Sequence, residues 1–396
     1  MASPVILSAC RTAIGKFGRS LVGVPAPRLG AAAIKEALVR AEVEATDVDE
    51  VIMGNVLSTG LGQHPARQAA IYSGIPASVG SLTVNKVCGS GLKAVMLAAQ
   101  SIRAGDNDVV VAGGMENMSN VPYALPKARW GYRMDANGRG EVLDLMVMDG
   151  LMESLYGYHM GITSENIAEK YGISRRDQDE LGLLSHQRAR AAIKEGKFKD
   201  EIMPVPIPQR KGPPTLFDTD ERPMDTSLEK MAALQPAFKK DGTVTAGNAS
   251  GINDAAAAVL MMSEEECSRN GLKPLARILG FATGAVDPAY MGLGPIPAIQ
   301  RALRIAGLSM GDLDLIELNE AFAAQAIACI RELGLNMDKT NIYGSGISLG
   351  HPIGCTGARV TVTLLHAMKR NGARYGLSSM CIGGGQGMAM VFERVG

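Results

Sequence analysis

The chain carries one pattern twice. Residues 33–54 read AIKEALVRAEVEATDVDEVIMG and residues 298–319 read AIQRALRIAGLSMGDLDLIELN. At an offset of 265, Ala33 falls on Ala298, Ile34 on Ile299, Ala37 on Ala302, Leu38 on Leu303, Ala41 on Ala306, Asp47 on Asp312 and Asp49 on Asp314. The apolar spacing predicts an amphipathic helix in each copy, then a turn and a short apolar strand. A second pair lies at nearly the same offset. Residues 88–114 and 354–384 both read as turn, helix, glycine-terminated end, buried strand and glycine-rich exit, with Gly91 on Gly357 and Val109–Val111 on Leu377–Ser379. Two matches in one order predict two homologous α/β halves, since alternating helices and strands pack as layers over a sheet.

The segment between the halves has another texture. Residues 120–250 hold a Gly/Arg-rich stretch from Lys127 to Gly140, then a helix pair whose second member starts near Ser174, with Asp177 as a capping partner. Pro204, Pro206, Pro208, Pro213, Pro214 and Pro223 follow, a density that excludes helix or sheet interior. We read this segment as an insertion mounted on the first half. Ala255–Met262 reads as a strand returning to the core, and Ser263 with Glu266 as a capping box for the next helix.

Composition narrows the function. At 396 residues the chain has room for two or three domains. Lys+Arg and Asp+Glu are both 40, which argues against nucleic-acid binding by phosphate neutralisation and against a polybasic membrane anchor. No apolar run is long enough to span a bilayer, and the start lacks a basic segment ahead of a long apolar one. A cytoplasmic protein is therefore expected. The six cysteines, at 10, 88, 267, 329, 355 and 381, form no C-x-x-C pair, so no metal site is expected.

Four positions could carry chemistry. Cys88 follows an apolar segment and precedes Gly89-Ser-Gly91 and a helical pattern, which puts its thiol at a helix N-terminus, where free amides favour a thiolate or an oxyanion. The alternative is a small core residue. His351, in Gly350-His-Pro-Ile-Gly-Cys-Thr-Gly357, could serve as a base for a thiol or cap a turn. Cys381 follows a strand-like segment and opens Cys-Ile-Gly-Gly-Gly-Gln-Gly387, whose amides can approach a ligand closely. The order G-x-G-x-x-G is absent there, which weakens a dinucleotide loop. Asn319 ends the strand Leu315–Leu318, and taken alone it reads as an ordinary helix cap. Two thiols, an imidazole and a carboxamide suit acyl transfer.

These motifs converge on a family. The chain resembles the thiolases, specifically those of the acetoacetyl-CoA type, over essentially its whole length. The resemblance is carried by Asn85-Lys-Val-Cys-Gly-Ser-Gly91, Gly113-Gly-Met-Glu-Asn-Met-Ser119, Asn319-Glu-Ala-Phe-Ala323, Gly350–Gly357 and Cys381–Gly387, in that order. It implies an α/β thiolase-like fold of two duplicated βαβαβαββ halves, packed in layers, with an inserted loop domain. The divisions expected are 1–119 with 252–273, the insertion 120–251, and 274–396.

The resemblance implies that Cys88 becomes acetylated, that His351 activates it, and that Cys381 moves the α-proton of the second acetyl-CoA. Asn319 would hold a water that, with His351, forms an oxyanion hole for the enolate. The amides of Cys88 and Gly383 would form the hole for the tetrahedral intermediate. Substrate contacts carried over are Leu151, His159, Met160, Phe238, Ala246, Gly247, Ser250, Met291 and Phe322, with Arg222 toward the adenosine end. Coenzyme A and acetyl-CoA enter as substrates, and no separate cofactor or metal is implied. A homodimer or homotetramer is expected, with Lys127–Gly140 either the tetramer contact or a plain surface loop. His159-Met160-Gly161 and Met291 match short-chain members, whereas Gly344–Gly350 and Cys355-Thr356 look like broad-chain degradative ones. A degradative 3-ketoacyl-CoA thiolase, and a coenzyme A-binding or thiol-redox protein without turnover, stay open as alternatives.

Overall fold

The computed structural model describes residues 2–134 and 138–395. Asp135, Ala136 and Asn137, inside the Lys127–Gly140 stretch weighed as a tetramer contact, lie outside the described residues, as do Met1 and Gly396.

The first half runs β1 (Pro4–Thr12), α1 (Ala26–Ala41), β2 (Glu50–Gly54), α2 (Pro65–Ser73), β3 (Gly80–Val84), α3 (Ser90–Ala104) and β4 (Val109–Asn117). The inserted segment then gives α4 (Met160–Tyr171) and α5 (Arg175–Lys194), and β5 (Asn253–Ser263) completes the half. The second half repeats the order with β6 (Ala276–Ala285), α6 (Pro295–Ala306), β7 (Leu315–Leu318), α7 (Ala323–Leu333), α8 (Thr356–Asn371), β8 (Tyr375–Ile382) and β9 (Gln386–Arg394). Where the first half has β3, the second has only a parallel bridge from Thr340 to Ile316.

The strands lie in the order β7-β8-β9-β6-β1-β5-β4-β2-β3. Read outward from the centre, each half gives the same sequence of equivalent strands. The halves meet where β1 and β6 pair antiparallel through two residue pairs, Val5 with Arg277 and Ile6 with Ala276. Along β1 the other edge pairs with β5 from Pro4↔Ser263 to Arg11↔Ala257.

Strand alternation sorts the core into layers. Val110 and Ala112 face the cluster holding α3 and α8, whereas Val109 and Val111 face α1 and α2. In β8 and β9, Met380, Met388 and Met390 face that same central cluster, while Leu377, Ala389 and Val391 face α6 and α7. Helices α3 and α8 therefore form a shared middle layer and pack on each other. Both are buried on most of their surface, which fits the Ala, Leu, Val, Ile and Met residues that cover more than one side of each.

The insertion departs from the sequence reading in one respect. It leaves the chain within the first half, but its helix pair packs on the second, against α7, with Ile167, Ala168, Ile173 and Leu181 in the outer core there. An amphipathic face packs where an apolar layer is open, and chain order does not fix that. The proline-studded part gives no helix; it holds a two-stranded ribbon, Val205–Ile207 with Thr215–Phe217, and sends Ile202–Met203 to pair with β1. At Ser174 the capping box with Asp177 is present in full. Ser263 accepts from the Glu266 amide as a helix cap.

Candidate active site

The site is assembled where the halves meet. The loop 350–357 presses on the first half, where Gly54, Gly91 and Gly114 make room for it. A Cβ on Gly114 would stand 2.2 Å from the Gly354 carbonyl oxygen, and one on Gly91 would stand 2.7 Å from the Ala358 nitrogen. No side chain fits between these backbones.

Cys88 sits two residues before α3, buried, on a turn held by local bonds. Ser90 Oγ accepts the Lys86 amide at 2.8 Å and donates to the Val87 carbonyl at 2.7 Å. Lys86 Nζ reaches across to Gln386 Oε1 at 2.6 Å. Val87 takes φ +46°, a strained angle for a β-branched residue. Such strain is found where surroundings over-determine a reactive position. Burial pushes the Cys88 thiol up to about 11, against the lowering effect of two hydrogen bonds, from the amides of Gly383 and of Cys88 itself. Both amides therefore favour the charged form of the sulfur.

His351 is buried, with its amide donating to Asn253 Oδ1 at 3.1 Å. Its Nδ1 lies 2.7 Å from Thr356 Oγ1 and 3.5 Å from Asn319 Nδ2. Its Nε2 is buried and has no partner among the described residues. Burial, with Arg359 adding to it, lowers the imidazole to about 3. The resting pair is therefore a neutral imidazole and a neutral thiol across the working pH range, and the proton must move during the reaction.

Asn319 is not a helix cap. Helix α7 begins at Ala323 with Phe322 at its N-cap, four residues further on. The Asn319 amide instead continues the ladder to Ser379 O at 2.9 Å. Its side chain turns to His351, leaving a buried Oδ1 without a partner among the described residues. A buried carboxamide oxygen of this kind suits a bound water.

Cys381 is fully buried in β8, in a cluster with Met291, Ala321, Phe322, Val244 and Ala249, against which Met160 and Phe238 pack. Burial first, then Cys88, raises its thiol well above the ordinary value. The glycine turn after it is pinned from the insertion, where Glu153 Oε2 accepts the Gly384 amide at 3.0 Å.

A cavity of about 330 Å³ opens onto Cys88 and His351. Leu151, His159, Met160, Arg222, Phe238, Ala246, Ser250, Met291 and Phe322 line it. Gly247 does not line it and stands behind the wall, against Leu234 and Met231. Asn319, Cys381 and Gly383 are placed behind the lining, beside His351, Met291 and Met160 respectively. The aromatic wall is ordered: His159 stacks on Phe238 at 4.4 Å and Phe322 meets Phe238 edge-on at 6.2 Å. Gly161 permits this, since a Cβ there would lie 2.1 Å from the Phe238 ring. The Arg222 guanidinium donates to the carbonyls of Ile347 and Ala249, both at 2.8 Å, so it braces the wall from within.

Sequence reasoning passed over Glu116. This fully buried carboxylate accepts from the Val56, Leu57 and Gly354 amides and from Asn55 Nδ2, at 2.8–3.2 Å. It ties the His351 loop to the first half. The Gly113–Ser119 motif contained it, but a motif match does not say what a carboxylate touches. Ile353, Met118 and Ala249 also line the cavity; the first two lie inside the quoted motifs but were not singled out.

Comparison with known proteins agrees with this construction. Two family models match, "Thiolase, N-terminal domain" over residues 4–265 and "Thiolase, C-terminal domain" over residues 272–394. An acetyl-CoA acetyltransferase of Pseudomonas aeruginosa is 56% identical over 395 residues, covering 100% of both chains. One from Escherichia coli is also 56% identical, with 100% of both chains covered. The crystal structure of the Bacillus anthracis acetyl-CoA acetyltransferase superposes with a TM-score of 0.97 at 46% identity, covering 100% of this chain and 99% of that one. With the duplicated halves, the paired thiols and the buried imidazole in place, the chain belongs to the thiolase family.

Proposed function

We propose that this protein is an acetyl-CoA C-acetyltransferase that reversibly condenses two acetyl-CoA into acetoacetyl-CoA and coenzyme A. The observation that carries the reading is the single cavity onto which the Cys88 thiol and the buried His351 imidazole both open, with His351 Nε2 lacking a partner among the described residues.

In the first step the Cys88 sulfur bonds to the acetyl carbonyl carbon and its proton passes to His351 Nε2. The two amides hold the oxyanion, a contribution of about 2.7–4 kcal/mol per donor. The C–S bond to coenzyme A breaks, and Cys381 gives the departing thiolate its proton. In the second step the Cys381 thiolate takes an α-proton from a new acetyl-CoA, while His351 and a water on Asn319 hold the enolate oxygen. The α-carbon attacks acetyl-Cys88, the C–S bond to Cys88 breaks, and the Cys88 thiolate recovers its proton from His351. Each protein group ends in its starting protonation state: the Cys88 proton returns from His351, and the proton that Cys381 gives to coenzyme A is replaced by the α-proton. A thioester acyl-enzyme suits this because transfer between thiols is nearly neutral in energy.

The inserted segment 120–251 supplies much of the wall along which coenzyme A would lie, as a domain distinct from the halves 1–119 with 252–273 and 274–396. Met160 and Met291, packed about Cys381, favour a short acyl chain. Exposed apolar residues at Tyr123, Leu125, Trp130 and Met134 support burial in a homodimer or homotetramer. No described helix is long and apolar enough to cross a membrane; a cytoplasmic enzyme acting on acyl-CoA small molecules, without a metal or separate cofactor, is our reading.

The test is thiolytic cleavage of acetoacetyl-CoA against a 3-ketoacyl-CoA of eight carbons, for wild type and Cys88→Ala. We expect cleavage of the short substrate, at least tenfold weaker cleavage of the long one, and loss of both on substitution. Equal rates on both would move the protein to the degradative class. No cleavage by wild type would overturn the enzyme reading.

A further inference from the structure

We propose that Thr356 is a positioning residue that fixes the tautomer of His351, holding the proton on Nδ1 and leaving the Nε2 lone pair free toward the cavity. The inference rests on the reading of His351 as the base for Cys88.

A hydroxyl has one proton. Thr356 Oγ1 lies 2.9 Å from the Pro352 carbonyl and 2.7 Å from His351 Nδ1. If the hydroxyl proton goes to the carbonyl, the oxygen can only accept from Nδ1, which must then carry hydrogen. If it goes to Nδ1, the ring is protonated on Nε2 and cannot take a proton from Cys88.

The molecule contains an unambiguous version of this arrangement. Ser90 is the first residue of α3, as Thr356 is the first residue of α8. Gly91 and Gly357 follow them at matched positions of the two halves. Ser90 Oγ also contacts one carbonyl behind it, Val87 O at 2.7 Å, and one nitrogen, Lys86 N at 2.8 Å. That nitrogen is a backbone amide and can only donate, so the Ser90 proton must go to the carbonyl. The same helix-start hydroxyl in the second half meets the same pair of groups, with the imidazole Nδ1 in place of the amide. The competing partner for Nδ1, the Asn319 amide nitrogen, stands 3.5 Å away, too far for a strong bond. The buried Nε2, without a partner among the described residues, is what this tautomer leaves behind.

Two measurements test it. The first is the ¹⁵N NMR spectrum of histidine-labelled wild-type enzyme at neutral pH, with His351→Asn to identify the His351 signals. We expect Nδ1 to read as N–H and Nε2 as a bare lone pair. The second is acetoacetyl-CoA thiolysis by Thr356→Val and Thr356→Ser. Valine keeps the shape and removes the acceptor, so kcat should fall by about a hundredfold with KM changed less than about threefold, on the usual scale of general-base catalysis. Serine should restore kcat to within about threefold of wild type. A wild-type spectrum with hydrogen on Nε2, or a folded valine variant with kcat within threefold, overturns the proposal. If the valine variant does not fold, the wild-type spectrum decides. Should wild type show no thiolysis at all, the functional reading fails while the spectrum still reads the tautomer.

Discussion

Two equivalent positions in the halves have been put to different uses. Strands β2 and β7 end at Gly54 and Leu318, whose partners on the neighbouring strands are Gly114 and Ser379. Two residues beyond those partners stand Glu116 in the first half and Cys381 in the second. One residue beyond the strand ends stand Asn55 and Asn319. In the first half the Asn and Glu bond to each other and to three amides, including that of Gly354 in the opposite loop. In the second half the Asn keeps an unpartnered oxygen beside His351, and the Cys faces the opposite loop at Cys88. One fold position thus serves once as a sealed clamp and once as a reacting group. Each asparagine leaves a buried Oδ1 without a partner among the described residues. What distinguishes them is the donor: Asn55 Nδ2 is matched to Glu116 Oε1 and the Met115 carbonyl, whereas Asn319 Nδ2 meets only His351 Nδ1 at 3.5 Å.

The comparison makes sharp predictions. Cys381→Ala should cost the largest effect, about a thousandfold in thiolysis kcat, with the unfolding midpoint little changed. Stopped-flow acetylation of Cys88 with acetyl-CoA should remain detectable, and its complete loss would show that Cys381 is needed for both steps. Asn319→Ala should lower kcat by about a hundredfold at near-constant stability, as expected for loss of one oxyanion partner. The equivalent Asn55→Ala should do the reverse and lower the unfolding free energy by about 1–2 kcal/mol in urea titration, since it removes buried hydrogen bonds to Glu116 Oε1 and the Met115 carbonyl. If both asparagines behaved alike, the division between clamp and site would be wrong.

Glu116 should show the next effect through pH. Burial raises its carboxyl to about 7, against lowering by the Val56, Leu57 and Gly354 amides. In the unfolded chain the same group releases its proton near the ordinary value of 4.5. Between those values the unfolded state binds fewer protons, so this group's contribution is full below 4.5 and is lost as pH rises through 7. The slope is on the order of 1 kcal/mol per pH unit. The unfolding free energy of Glu116→Gln, relative to wild type, should therefore improve between pH 5 and pH 7; a constant difference would sink the assignment. The smallest effect is in the wall. Met291→Ala should raise cleavage of an eight-carbon 3-ketoacyl-CoA several-fold relative to acetoacetyl-CoA, and an unchanged ratio would show that Met291 does not limit the chain.

Much of this was legible in the sequence and some of it could not be. The duplication announced the halves because each repeats a complete helix–strand pattern, and local spacing survives folding. Cys88, His351 and Cys381 stood out because glycines flank them, and glycines mark backbone that must come close to something. Asn319 read as a cap because strand-end asparagines commonly are caps; only the start of α7 at Ala323 shows otherwise. Glu116 and Thr356 were invisible as participants. Their roles depend on which loop of one half meets which strand end of the other, and no local pattern encodes that. The same holds for the insertion, whose helices cover the half that does not contain them in sequence.

The pairing of Pro4 with Ser263 sets a timetable for synthesis. Strand β1 leaves the ribosome long before its partners: the short segment Ile202–Met203 follows about 190 residues later, and the longer neighbours β5 and β6 some 250 or more residues later. At about 5–20 residues per second, that is on the order of ten to fifty seconds before the long edges of an apolar strand are paired. Such edges invite pairing with other chains. Completion of the first half's part of the sheet must wait for the whole insertion, so protection of β1 on the nascent chain becomes a requirement of the architecture.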